Sequence, residues 1–69
     1  MQITTTARQF ILTFEWDEMD GFVNGRTVLR TETEEVTITA ASATAARIAA
    51  ARMLRNSDEG TRLRAITPA

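Results

Sequence analysis

The sequence predicts a small α+β domain, ββαβ, in which a three-stranded sheet of order 2-1-3 is covered on one face by one helix. Three observations support this prediction. Apolar and polar residues alternate early in the chain, an alanine-rich stretch lies between helix start and stop signals, and a turn signal separates two extended runs. The length of 69 residues predicts a single domain over residues 1–69.

The first two strands are predicted from their side-chain patterns. Residues 7–16 alternate with the period of a strand that has one buried face. The apolar members of that alternation are Phe10, Leu12, Phe14 and Trp16. Residues 26–40 are rich in threonine and valine, which favours a second strand over a helix.

The turn between these strands is predicted at Asn24-Gly25, because both residues tolerate positive φ. Unbroken pairing from a two-residue turn would shift the register by one and separate the apolar sets. We therefore predict a three-residue loop over residues 23–25, with Phe22 opposite Arg26.

This register sets the expected core. Leu12 lies opposite Val36, so that the apolar sets share a face, and Glu18 lies opposite Arg30. Residues 17–21 are expected to contain a bulge or another irregularity, since Gly21 interrupts the strand pattern.

The helix is predicted within residues 39–60, with Ser42 as its N-cap and turn chemistry in residues 56–60. One face should pack on the sheet; its members are Ala43, Ala46, Ala50, Met53 and Leu54. Residues 61–67 then form a short strand ending before Pro68. A crossover through the helix makes this strand parallel to the second, with the first between them, in an antiparallel-plus-parallel sheet.

Composition argues against several classes of function. The chain has no cysteine and no histidine, so a thiolate metal site and the commonest general base are both excluded. A calcium loop beginning at Asp17 would need oxygen ligands where Met19 and Gly21 stand. We expect no enzyme activity, no cofactor and no metal.

The N-terminal residues and the absence of a long apolar run predict a cytoplasmic protein without a membrane span.

The acidic-aromatic segment around residues 15–22 is the first candidate site. Aromatic and methionine side chains ringed by charge are typical of protein-binding patches. The predicted partner-binding residues are Trp16, Asp17, Glu18, Met19, Asp20 and Phe22. The alternative interpretation is that Trp16 and Phe22 close a minor core at the hairpin end.

Arginines form a second candidate site, because from Ala40 to the end five arginines stand against two acidic residues, on the helix and along the last strand. Guanidinium groups bind phosphates, which makes a nucleic-acid-binding or ribosome-associated protein the alternative function. The candidate residues are Arg47, Arg52, Arg55, Arg62 and Arg64. A solvated surface partly paired with Asp58 and Glu59 is the simpler interpretation.

The expected outer face of the helix is the third candidate. Ala45, Ile48 and Ala51 make a small apolar patch beside Arg52, and small residues permit close helix–helix approach. A symmetric homodimer, or a structural homo-oligomer, about this face is a further alternative.

The stretch from Val36 to Ile66, centred on ITAASATAARIAAARML, resembles small uncharacterised proteins encoded by bacteriophages of GC-rich actinobacteria. It also looks like a small archaeal ribosomal-protein-type ββαβ module, although that family is strongly basic. The first resemblance implies an accessory protein that modulates a host protein by binding it. We therefore expect a non-enzymatic protein–protein interaction module with a host or self protein as its partner.

Overall fold

The computed structural model describes residues 7–69. Its elements are β1 (Arg8–Val23), β2 (Arg26–Ala40), α1 (Ala43–Arg55) and β3 (Arg62–Pro68). The sheet has the order β2-β1-β3, which confirms the predicted ββαβ fold. Both hydrogen-bonded strand pairs are antiparallel, because β1 pairs with β2 on one side and with β3 on the other. β2 and β3 therefore run parallel to each other, as predicted, but they are not hydrogen-bonded neighbours. Residues 1–6, on which part of the localisation prediction depends, lie outside the described residues.

The core lies between one face of the sheet and α1. Leu12 is fully buried, and Phe10 and Phe14 flank it on the same face of β1. Ala46 and Ala50 of α1 have no exposed surface, because an alanine side chain lets the helix backbone lie close to the aromatic strand residues. Partly buried residues complete the cluster: Val36, Ile38, Met53, Leu54, Leu63 and Ile66. The predicted inner face of the helix is confirmed except at Ala43, which is exposed in the first turn.

Local hydrogen bonds define both ends of α1. The Ser42 hydroxyl accepts a hydrogen bond from the Ala45 amide at 3.1 Å, as predicted for the N-cap. At the other end the Ser57 hydroxyl donates to the Met53 carbonyl at 2.8 Å, and the Asn56 side chain donates to the Arg52 carbonyl at 3.3 Å. These bonds satisfy carbonyls that a helix end otherwise leaves without partners.

The turn between β1 and β2 differs from the prediction. It is a two-residue turn, in which Asn24 has φ 52° and Gly25 has φ 76°, and Phe22 lies opposite Thr27 instead of Arg26. Two consecutive positive φ values fit a type I′ turn, whose twist matches that of the strands. The three-residue loop was therefore wrong.

A bulge reconciles this turn with the predicted core register. Leu12 does lie opposite Val36, and Glu18 opposite Arg30, but the register shifts by one residue between Met19 and Gly21. Asp20 is the extra residue, within the segment where an irregularity was predicted. The prediction of the loop failed because it assumed unbroken pairing between the turn and the core.

The last strand is one residue longer than predicted at its C-terminal end. Pro68 belongs to β3 and lies opposite Phe10. Proline is tolerated there because β3 is an edge strand and the missing amide hydrogen faces away from the ladder. A second register shift, between Thr13 and Phe14, leaves Arg64 as the extra residue of β3.

The hairpin formed by β1 and β2 extends well beyond the rest of the molecule. Pairing between β1 and β3 stops at Glu15 and Arg62, so residues 16–32, here named the arm, have only two strands. The principal extents are 69 × 21 × 12 Å and the radius of gyration is 16.6 Å. A compact chain of this length would have a radius of gyration of about 11 Å. The molecule is therefore a small head, made of the core and α1, with a projecting arm.

We predict that Ala50→Leu will destabilise the fold by about 1–3 kcal/mol, since the added side chain must push α1 away from the sheet. Ala51→Leu is the matched control, because Ala51 is exposed on the same helix and should change stability by less than about 0.5 kcal/mol. Urea unfolding followed by circular dichroism measures both. Equal midpoints for the two variants would contradict the close packing of α1.

Candidate interaction site on the arm

The two faces of the arm can be assigned from β2, whose pairing with β1 has no extra residue on the β2 side. Side chains alternate along a strand, and directly opposed residues share a face. Val36 packs in the core under α1, so the even-numbered residues of β2 face the helix side. The odd-numbered residues face the other side, here named the open side, because no element of the described chain covers it.

This assignment divides the predicted partner-binding segment between two surfaces. Trp16 and Glu18 lie opposite Glu32 and Arg30 and so face the helix side. The open side holds Asp17, Met19 and Phe22, which lie opposite Thr31, Leu29 and Thr27. Asp20 occupies the bulge. The six residues predicted as one patch therefore do not form a single contact surface.

The bulge decides the position of Phe22. Unbroken alternation along β1 would put Phe22 on the same face as Trp16. The extra residue at Asp20 reverses the alternation, so that Phe22 joins Met19 on the open side. The sequence predicted an irregularity here but gave no means of placing it, and the side occupied by Phe22 depends on its position.

Three large apolar side chains are exposed together on the open side of the arm. Met19 is 64% exposed, Phe22 is 69% exposed, and Leu29, directly opposite Met19, is 62% exposed. We name this set the arm patch. Leu29 was missed as a site residue, although the predicted register already placed it opposite Met19. Phe22 is thus not part of a minor core.

On the helix side, Arg30 holds the arm together electrostatically. Its guanidinium forms ion pairs with Glu18 and Asp20 of β1, each at 3.3 Å, and with Glu32 of its own strand. The negative charge of Glu32, followed by that of Asp20, raises the pKa of Arg30. Three carboxylates around one guanidinium link the two strands of the arm and leave the helix side acidic.

Trp16 lies at the base of the arm, where the head ends. The indole is partly buried, and its Nε1–H donates a hydrogen bond to the Glu18 carboxylate at 2.9 Å. Phe14, the preceding residue on the same face, belongs to the core. Trp16 therefore forms the margin of the core, so the minor-core interpretation describes it better than it describes Phe22.

The arginines of β3 are occupied by carboxylates of β1. Arg62 Nε lies 2.7 Å from Glu15 and its Nη2 lies 3.6 Å from Asp17, while Arg64 lies 4.0 Å from Glu15. The hydrogen bond to Glu15 raises the pKa of Arg62. The predicted partners Asp58 and Glu59 form no ion pair within residues 7–69, so that pairing was wrong.

The outer face of α1 is as predicted. Ile48 is 52% exposed, Ala51 is exposed, and Ala45 is partly buried. Arg52 and Arg55, in the last turn, share that face by their helical spacing. In the described part of the chain neither they nor Arg47 form an ion pair.

The described residues contain no group of three or more acidic side chains placed so as to hold a metal ion. No helix among them is long and apolar enough to cross a membrane. No family model, curated protein or solved structure matches the chain.

We predict that Arg30→Gln will loosen the arm without unfolding the head. Loss of the guanidinium leaves Glu18, Asp20 and Glu32 repelling one another across a two-stranded hairpin, which has little stability of its own. Hydrogen exchange of amides in residues 17–31 should accelerate several-fold, while exchange in the head stays unchanged.

Arg26→Gln is the control for this variant, since Arg26 lies beside the turn and forms no ion pair within the described residues. It removes the same charge and should leave exchange in the arm as it is. Equal acceleration in both variants would show that net charge, and not the Arg30 cluster, stabilises the arm.

Proposed function

We propose that this chain is a small non-enzymatic protein–protein interaction module that binds its partner through the open side of the arm. The observation that carries the proposal is the arm patch, Met19, Phe22 and Leu29, exposed on a hairpin that projects beyond the head. Clustered apolar side chains on a surface mark interaction sites, whereas scattered ones are ordinary.

The shape of the arm supports this proposal. A two-stranded ribbon presents both of its faces and its free strand edges to solvent, so a partner can reach the patch without displacing any part of the head. Main-chain groups along β1 beyond Glu15 have β2 on one side only, which leaves one edge of the arm free for an added strand. Apolar anchors beside a free edge suit binding to another polypeptide.

Charge supports a partner with basic groups near its contact surface. Between Glu15 and Glu35 the chain has seven carboxylates and only two arginines, although Glu18, Glu32 and Glu34 face the helix side, and Glu15 and Asp17 on the open side lie beside Arg62. Asp17 lies on the same side as the patch, where its carboxylate accepts a hydrogen bond from the Thr31 hydroxyl at 2.9 Å. Such charges steer encounter and orientation more than they add affinity.

We further propose, from the phage-like sequence pattern, that the partner is a host protein whose activity the module alters.

Nucleic-acid binding is the weaker alternative. Two of its five candidate arginines, Arg62 and Arg64, lie beside the Glu15 carboxylate, which competes with phosphate for them. The remaining three lie on one short helix and give too small a positive surface for the usual electrostatic footprint. The arrangement of charges thus favours a protein partner.

We predict that Met19→Ser combined with Leu29→Ser will weaken partner binding by about 30-fold or more, equivalent to about 2 kcal/mol for the loss of two central apolar contacts. Both side chains are more than half exposed, so the fold should survive. The measurement is affinity capture from a nuclease-treated actinobacterial lysate at low surface density, followed by titration of the purified captured protein.

Ile48→Ser is the matched control, because it removes an exposed aliphatic side chain from the helix and not from the arm. It should bind as wild type does. Binding that persists in the arm variant, or that falls equally in the control, would reject the arm patch as the binding surface.

A further inference from the structure

A groove lies on the helix side of the sheet, between the base of the arm and the C-terminal end of α1. Its floor is apolar and includes Trp16, Val36 and Met53. Its rim is mainly acidic, with Glu34 on β2 and Asp58 and Glu59 in the loop after the helix; Arg62, which is paired with Glu15, also lines it. These three carboxylates form no ion pair within the described residues, so the groove combines an apolar floor with negative charge that is not neutralised.

The outer face of α1 has the complementary chemistry. Ile48, Arg52 and Arg55 follow one another at spacings of four and three residues, which places them on one stripe of the helix. Ile48 supplies exposed apolar surface, and the two arginines have no carboxylate partner in residues 7–69. One chain thus presents both an acidic apolar groove and a basic apolar stripe.

The dimensions of the head and the arm are also complementary. The head has two layers, because α1 packs on the sheet, whereas the arm is a single layer. On the helix side, the thickness therefore drops by one helix diameter where α1 ends. The eight β1 residues of the arm, 16–23, span about 26 Å, and the 13 residues of α1 span about 20 Å. A second α1 therefore fits along the helix side of the arm.

We propose that two copies of this chain form a symmetric dimer in which the outer face of α1 of each copy lies on the helix side of the other copy's arm and reaches its groove. A two-fold axis forms both contacts at once. When the head of one copy lies over the arm of the other, symmetry places the second copy's head over the arm of the first. Ile48 then covers the apolar floor, and Arg52 and Arg55 face the acidic rim.

Charge disfavours the helix–helix dimer predicted from Ala45, Ile48, Ala51 and Arg52. A two-fold axis parallel to the helices would bring Arg52 and Arg55 against their own copies, which is repulsive. An axis perpendicular to them at Ile48 would place both arginines beside the first turn of the partner's helix, which has no acidic residue and carries the positive end of the helix dipole. The helix-on-arm arrangement pairs the same arginines with carboxylates. It also leaves the open side of the arm exposed, so it is independent of the proposed partner binding and extends beyond it.

The first test is sedimentation equilibrium of the wild-type chain from micromolar to millimolar concentration. We expect the average mass to rise from that of the monomer to twice that value as concentration increases. The dimerisation affinity should fall about tenfold or more between low and high salt, because screening reduces the charge pairing. Trp16 is the only tryptophan of the chain, so its emission should shift to the blue over the same concentration range. A monomer at every concentration in low salt would overturn the proposal.

The second test exchanges the charges. A groove variant, Glu34→Arg with Glu59→Arg, and a helix variant, Arg52→Glu with Arg55→Glu, should each be monomeric by themselves, because like charges then meet in both contacts. An equimolar mixture should restore a dimer, since one contact is native and the other has both signs reversed. Circular dichroism checks that each variant is folded.

The mixture also distinguishes this dimer from the alternatives. Larger assemblies would indicate open head-to-tail association, and they would contradict the two-fold arrangement. A helix–helix dimer would persist in the groove variant and would likewise overturn the proposal. Partner capture through Met19 and Leu29 is measured separately, so failure of the dimer leaves the proposed function standing, and failure of capture leaves the dimer standing.

Discussion

The strands differ in length, and this difference decides where the head ends and the arm begins. β1 has 16 residues and β2 has 15, whereas β3 has seven. Pairing therefore changes from three strands to two at Glu15, and α1, which follows β2, covers only the three-stranded part. The arm patch and the Arg30 cluster lie beyond this point, the groove lies across it, and the outer face of α1 lies on the head. A longer β3 would make a conventional sheet and remove the arm.

Different forces stabilise the head and the arm. The head depends on burial of Leu12 and the two flanking phenylalanines beneath helix alanines, which is a small core but a closely packed one. The arm has almost no burial and depends on backbone pairing, a type I′ turn and the carboxylates gathered around Arg30. Exposed ion pairs contribute little to global stability, so the arm is the part of the fold most easily altered by salt or by binding.

Most of the fold could be predicted from the sequence, because its signals are local. The alternation in β1, the Ser42 cap and the alanine face of α1 each specify an element without reference to the others. The turn and the faces of the arm could not be predicted, because they depend on where one extra residue enters β1. Asn24-Gly25 indicated a turn, and residues 17–21 were expected to contain an irregularity. A three-residue loop without a bulge and a two-residue turn with one both preserve the pairing of Leu12 with Val36, so the sequence could not decide between them.

The candidate site was only partly predictable for the same reason. The sequence identified Met19 and Phe22 as contact residues, but it grouped them with Trp16, which lies on the other face because the bulge at Asp20 reverses the alternation before Phe22. Leu29 lies ten residues away in the sequence and was missed, although the predicted register placed it opposite Met19 and would have identified it.

The most direct test is therefore a measurement of the cross-strand register in the arm by nuclear Overhauser contacts at low concentration and high salt. The register described above predicts contacts between Met19 and Leu29 and between Phe22 and Thr27, which place the arm patch on one face. Contacts between Phe22 and Arg26, or an absence of cross-strand contacts beyond Glu15, would contradict it.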